Sequence, residues 1–225
     1  MTHIPVDFAC EMSLCSLGVN SALDEQLVEA AKNGDLHAVR QLLGEGTDPK
    51  AHDSQALRMA AKNGHPECVR LLIPVSDPKA NDSWALYWAA ANGHTACVEL
   101  LIPVSAPKAT NSWALRLAAI HGHTDCVRLL IPVSDPKARN SWALRRATEK
   151  GYLDMVDVLF AVSEPQKALE ILLADVRRCP TKTPQDYPGI VYLQQKIQAK
   201  EENVILQEHI DTSSVLWPQN TRRQL

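Results

Sequence analysis

Long apolar runs, an excess of basic charge, a paired cysteine framework and the common catalytic signatures are all missing from this chain. No stretch of eighteen or more apolar residues occurs, which excludes a helical membrane span. Residues 1–21 lack a basic start followed by a continuous apolar core, so they do not read as a standard cleaved secretory signal. Lys plus Arg number 23 against 26 Asp plus Glu, a net charge of −3, which speaks against a generally basic nucleic-acid binder. The six Cys are scattered, as suits a reducing, cytoplasmic setting. No Walker loop, GxGxxG, GxSxG or HExxH is present, so an enzyme reading has no positive support and no cofactor is expected. Aromatic residues are only 5% of the chain, yet five are Trp against two Phe.

What the chain does have is a period. Gly64, Gly93, Gly122 and Gly151 stand 29 residues apart, and so do Ala56-Leu57, Ala85-Leu86, Ala114-Leu115 and Ala143-Leu144. Cys68, Cys97 and Cys126 keep the step, as do Pro74, Pro103 and Pro132. A fixed step of this size marks a repeat architecture.

One unit, Ser112 to Asn140, contains two helical patterns. The first runs from about Ala114 to His121, with Ser112 as a plausible N-cap and Leu115, Ala118 and Ala119 as its apolar stripe. Gly122 permits the reversal that follows. The second runs from about Thr124 to Ile131, with Cys126, Val127, Leu130 and Ile131 apolar and Pro132 ending it. Ser134-Asp135-Pro136-Lys137 reads as a turn. Two short helices cannot bury their apolar faces alone, but stacked pairs can. The predicted fold class is therefore all-α, an α-solenoid of helix-turn-helix units with short loops. The pairs Ala60-Ala61, Ala89-Ala90 and Ala118-Ala119 would let neighbouring helices approach closely.

The run Ala60-Ala61-Lys62-Asn63-Gly64-His65-Pro66-Glu67-Cys68-Val69-Arg70-Leu71-Leu72-Ile73 resembles the helix core of the ankyrin repeat family. Gly46-Thr47-Asp48-Pro49-Lys50-Ala51-His52-Asp53 resembles that family's finger segment. The likeness covers roughly residues 22 to 163. The units are shorter than the family's period of about 33 residues, and the missing residues fall at the glycine-bearing finger tip and after the second helix. Where the family has the Thr of its T-P-L-H motif, this chain has Gln55, Trp84, Trp113 and Trp142. The resemblance implies helix pairs with stubby loops in place of β-hairpin fingers. Such shortened arrays are similar to those of bacterial and viral proteins.

Three segments are expected. Residues 1–21 precede the array and carry no period, and read as a flexible N-terminal segment. Residues 22–179 form the array, opened by a polar unit whose Asp24, Glu25 and Glu29 face outward, and closed by a cap helix from Glu164 to Arg178. Residues 180–225 hold a proline-rich linker, an amphipathic helix from Ile190 to Ile210 and a tail from Asp211 that reads as disordered. The helix either folds back on the solenoid or binds a partner.

His65, His94 and His123 follow the unit glycines. Similar histidines in the ankyrin family hydrogen-bond backbone between repeats, and a separation of one unit is too large for a shared metal ion. Cys68, Cys97 and Cys126 read as small buried hydrophobes, and no base marks any Cys, including Cys10 and Cys15, as a nucleophile. Trp84, Trp113 and Trp142 should form a row. Either they cover the shortened loops beneath the stems of Lys79, Lys108 and Lys137, or they form an exposed ladder for a partner.

Positions that differ between equivalent units are the better binding candidates. Given the family's concave first-helix face, they are Tyr87, Trp88, Leu117 and Ile120 as an apolar centre, with Arg116, Arg145 and Arg146 beside it. The expectation is a non-enzymatic scaffold that binds a protein partner through that face, acting as a monomer, without nucleic acid or membrane. One alternative is a secreted bacterial effector or adaptor acting on host proteins, with residues 1–21 as its export signal and the host-cell interior as its location. Another is an enzyme whose activity lies in the C-terminal segment.

Overall fold

The computed structural model describes residues 22–178 and 183–215. The expectations for residues 1–21, for Cys10 and Cys15 and for the tail beyond residue 215 lie outside them. Twelve α-helices and no strand occur among the described residues. They form successive pairs: α1 (residues 22–33) with α2 (Leu36–Gly44), α3 (Ala51–Asn63) with α4 (Pro66–Leu72), α5 (Ala80–Ala91) with α6 (Thr95–Leu101), α7 (Ala109–His121) with α8 (Thr124–Leu130), and α9 (Ala138–Lys150) with α10 (Leu153–Phe160). α11 (Pro165–Arg177) follows as the expected cap helix, and α12 (Pro188–Val215) comes last.

Like packs on like. α3, α5, α7, α9 and α11 form one layer, and α2, α4, α6, α8 and α10 form the other. The first layer is the more closely packed, because Ala60, Ala61, Ala89, Ala90, Ala118 and Ala119 lie wholly inside it and carry only a methyl group to hold the helices apart. The second layer is filled by Cys68, Cys97 and Cys126 together with Val69, Val98 and Val127, all buried. Burial pushes the Cys97 thiol up to about 11.

The unit boundary is sealed by a repeated set of hydrogen bonds. The ring of His94 bonds through Nε2 to the Lys62 carbonyl at 2.9 Å, and His65 and His123 do the same to Lys32 and Ala91. Each ring lies against the glycine of the preceding unit. A Cβ on Gly64 would meet His94 Nδ1 at 2.4 Å, and Gly64 also has φ of 76°. The glycine therefore serves its own turn and its neighbour's histidine together.

Four first helices, α3, α5, α7 and α9, open in an unexpected way. Residues 52–54, 81–83, 110–112 and 139–141 are consecutive non-glycine residues in the left-handed region, with φ between 49° and 69°. The chain makes one left-handed turn before the right-handed helix begins. Asp53, Asp82, Asn111 and Asn140 take its middle position, where Asp and Asn are the side chains best tolerated. Ser112 is consequently not an N-cap for its own helix. It is buried, and its hydroxyl accepts the amide of Asp135 in the next inter-unit loop at 2.8 Å. Ser54, Ser83 and Ser141 accept the amides of Asp77, Ala106 and Glu164 in the same way. Asp24 holds the equivalent position in the first unit. It does not simply face outward, since its carboxylate accepts the Asp48 amide at 2.8 Å.

The amphipathic helix folds back. Ile190, Leu193 and Ile197 of α12 are buried against α9, α10 and α11, and Tyr192 donates to the Asp157 carboxylate at 2.7 Å. Lys196 completes the contact at 2.6 Å from the same oxygen. The helix continues past the expected end at Ile210, so residues 211–215 are helical.

Candidate functional site

The first-helix layer presents the side chains that vary from unit to unit, and the left-handed turns aim the indoles at its rim. Trp84 is 44% exposed, while Trp113 and Trp142 are half-buried. The cations over these rings are not the loop lysines. The Arg58 guanidinium lies 5.4 Å from the Trp84 centroid, and Arg146 lies 5.2 Å from that of Trp142. Arg116 lies 4.4 Å from Trp113 and 4.6 Å from Trp142, so it is held between two indoles of successive units. The loop lysines instead sit on the far side of the left-handed turn, where the Lys79 and Lys137 amides bond to Asp77 and Asp135 in tight Asx turns. The contacts thus form two stacks, Arg58 on Trp84 and Trp113–Arg116–Trp142–Arg146, separated where Tyr87 takes the place of Arg58 and Arg116, with each contact of the order of 1 kcal/mol.

The predicted face is only partly as expected. Trp88 is 39% exposed with Lys62 Nζ 4.7 Å from its ring centroid. Leu117 and Ile120 are half-buried and open to the same layer. Arg145 and Arg146 are half-buried and paired, to Asp175 at 3.4 Å and to Glu149 at 2.6 Å. Tyr87 and Arg116 do not stand on the surface. Each is 4% exposed, because the close first-helix packing draws that position in between units. The Tyr87 hydroxyl donates to Thr110 Oγ1 at 3.2 Å, and Arg116 is taken up by the indoles. Of the four apolar residues expected there, Trp88 is exposed, Leu117 and Ile120 are half-buried and Tyr87 is buried. Beyond Arg146 the layer ends in a cleft of about 330 Å³ walled by Glu149, Leu172, Asp175, Tyr187 and Ile190.

Sequence reasoning missed the Trp–Arg stack. Its signal is the placement of Arg58 and Arg116 twenty-six residues ahead of Trp84 and Trp142, which becomes a contact only when units stack. His121 and His123 stack at 6.2 Å, but no group of three or more His, Cys, Asp or Glu able to hold a metal occurs among the described residues. No described helix is long and apolar enough to cross a membrane.

Models of known families match the chain in two places. A model of ankyrin repeats in three copies matches residues 27–112, and a single ankyrin repeat model matches residues 110–141.

Proposed function

This chain belongs to the ankyrin repeat family, whose repeats are generally protein–protein interaction modules, and from that premise we propose that it binds a protein partner across its first-helix layer without catalysing a reaction. The observation that carries the reading is Trp88. It is a large indole, 39% exposed, in the middle of a layer whose other helix-facing positions are filled with buried alanines. Leu117 and Ile120 lie on the following unit, and Arg145 and Arg146 close the end of the row. An aromatic anchor with aliphatic neighbours and arginines at its border is the composition of a binding hot spot. The stack of units is ordered before the partner arrives, so little conformational entropy is lost on binding.

The test uses the full chain as bait, beside a Trp88→Ala, Ile120→Ser variant. Both replaced side chains reach solvent, so thermal unfolding should be little changed. Quantitative mass spectrometry of the retained proteins should show at least one that the variant loses by tenfold or more. If every retained protein binds both baits equally, this face is not the binding face.

A further inference from the structure

We propose that the Trp113–Arg116–Trp142 stack is a receptor for a carboxylate side chain, and that the partner therefore presents an acidic, extended segment to the first-helix layer. This rests on the layer being the binding face and adds the chemistry of what it binds.

Arg116 is 4% exposed and makes no hydrogen bond or ion pair among the described residues. Its Nε is sealed from solvent and without a partner. A buried cation normally keeps its charge company, since an unpaired one is costly. Burial pulls the Arg116 pKa down, and the like charge of Arg139 adds to it. Two indoles lie against the guanidinium, with ring centroids 4.4 and 4.6 Å from its carbon. What they leave is its edge, where the terminal nitrogens point in the guanidinium plane. A planar carboxylate approaching in that plane can accept two parallel N–H bonds, the geometry for which a guanidinium is shaped.

The surroundings repeat the deficit. Arg58 stacks on Trp84 with its Nε likewise sealed and unpartnered, and its other contact is the neutral His52 carbonyl. Lys62 lies on Trp88 with no carboxylate in contact. The nearby acids Asp53 and Asp82 are engaged with Asn81 and Thr110 of the next unit. Among the described residues, carboxylates pair with the row at its far end, at Arg145 and Arg146. A chain of net charge −3 thus holds, along one layer, a row of cations that among the described residues make no ion pair until Arg145 and Arg146. Arg58 and Arg116 are two units apart, about 20 Å if units are spaced like packed helices. An extended segment covers that in about six residues, so the complement is two acidic residues at about that spacing with an apolar residue between them for Trp88.

The experiment titrates the full-length protein with synthetic peptides and follows indole fluorescence and calorimetric heat. The probes are an extended peptide with two glutamates six residues apart around a leucine, the same peptide with glutamines, and one with phosphoserines. The glutamate peptide should bind at least tenfold more tightly than the glutamine peptide. Arg116→Met should abolish that difference with only a modest fall in the thermal midpoint from the lost ring contacts, and Arg116→Lys should recover only part of it. Equal binding of the glutamate and glutamine peptides, no binding of either at millimolar concentration, or preference for the phosphoserine peptide overturns the carboxylate assignment. So does a large drop in thermal midpoint for both Arg116 variants, which makes the stack a structural staple. If the proteins lost from the Trp88→Ala, Ile120→Ser bait are still held by the Arg116→Met bait, the face stands and the carboxylate receptor falls.

Discussion

Asp24 receives the backbone amide of Asp48 at 2.8 Å from the position that a serine occupies in each of the next four units. The chemistry differs and the task is the same: an oxygen at the head of a first helix accepts the amide that opens the following loop. Asp24→Ser should therefore be nearly neutral, because a hydroxyl serves at every other boundary. Asp24→Ala removes the acceptor and should cost about 1 kcal/mol. Urea unfolding of the two variants beside the parent separates them, and equal loss in both would show that the carboxylate charge, not the hydrogen bond, matters.

The His94–Gly64 contact predicts an asymmetry between glycines. Gly64→Ala meets two penalties, a left-handed φ of 76° and a Cβ placed 2.4 Å from the His94 ring. Gly46→Ala meets only the first, since φ is 88° but nothing lies within 4 Å of its Cβ. The Gly46 change should cost about 1–2 kcal/mol, and the Gly64 change clearly more, because the His94 bond to the Lys62 carbonyl must shift. Thermal denaturation of both single variants reads the difference.

The helix pairs, their alanine seam and the buried cysteines were legible because each depends on residues that recur at one fixed step, and the role of the histidines came from the resemblance to the ankyrin family. Asp24 was not, because the first unit is one residue longer, with glycines at Gly34 and Gly64, and the shift hides its match to Ser54. The left-handed turns were not, because Thr110-Asn111-Ser112 has the composition of any loop, and Ser112 before an apolar run reads as an N-cap. Which of the variable first-helix positions reach solvent was not legible, because helix periodicity does not say how closely neighbouring helices approach. That closeness is what takes Tyr87 and Arg116 inside and leaves Trp88 outside.

The turns themselves store strain that can be released. Arg139 holds φ of 52° with a long side chain that is disfavoured there, and it places a positive charge near Arg116. Arg139→Asn keeps the turn with a residue suited to it, as Asn81 does in an earlier unit. The variant should be more stable by about 0.5–1 kcal/mol. Differential scanning calorimetry should show a higher midpoint, and a lower one would mean that Arg139 contributes more than its backbone conformation costs.

Cys97 supplies a prediction at alkaline pH. Its thiol is raised to about 11 by burial, whereas an unfolded thiol ionises near 8.5. Below the unfolded value both states keep the proton, so Cys97 makes no pH-dependent change. Between the two values only the unfolded chain releases it, and stability falls as pH rises. Cys97→Ala should flatten that decline, although it lowers stability at neutral pH by opening a small cavity. Urea midpoints for both proteins from pH 7 to about 11 give the two slopes, and parallel slopes would remove Cys97 as the cause.

The hold of α12 on the array should respond to acid. Burial works against ionisation of Asp157, but the bonds from Lys196 and Tyr192 outweigh it and keep the carboxyl below its ordinary value. A depressed carboxyl contributes stability that is present above the unfolded pKa, near 4, and is lost as pH falls through the folded value. The loss is local, because Asp157, Tyr192 and Lys196 join α10 to α12 and touch no other unit boundary. The apolar part of the seam does not titrate: Ile190 and Leu193 stay buried, and Gly189 lies so close to the Thr148 carbonyl that an added Cβ would stand 2.0 Å from its oxygen. Acid should therefore loosen α12 around Tyr192 and Lys196 while its first turn stays docked. Asp157→Asn should produce the same loosening at neutral pH, and Gly189→Ala should free the first turn at any pH. Hydrogen exchange of α12 peptides separates these outcomes, and uniform protection across pH 3 to 7 in the parent would show that the apolar seam alone holds the helix.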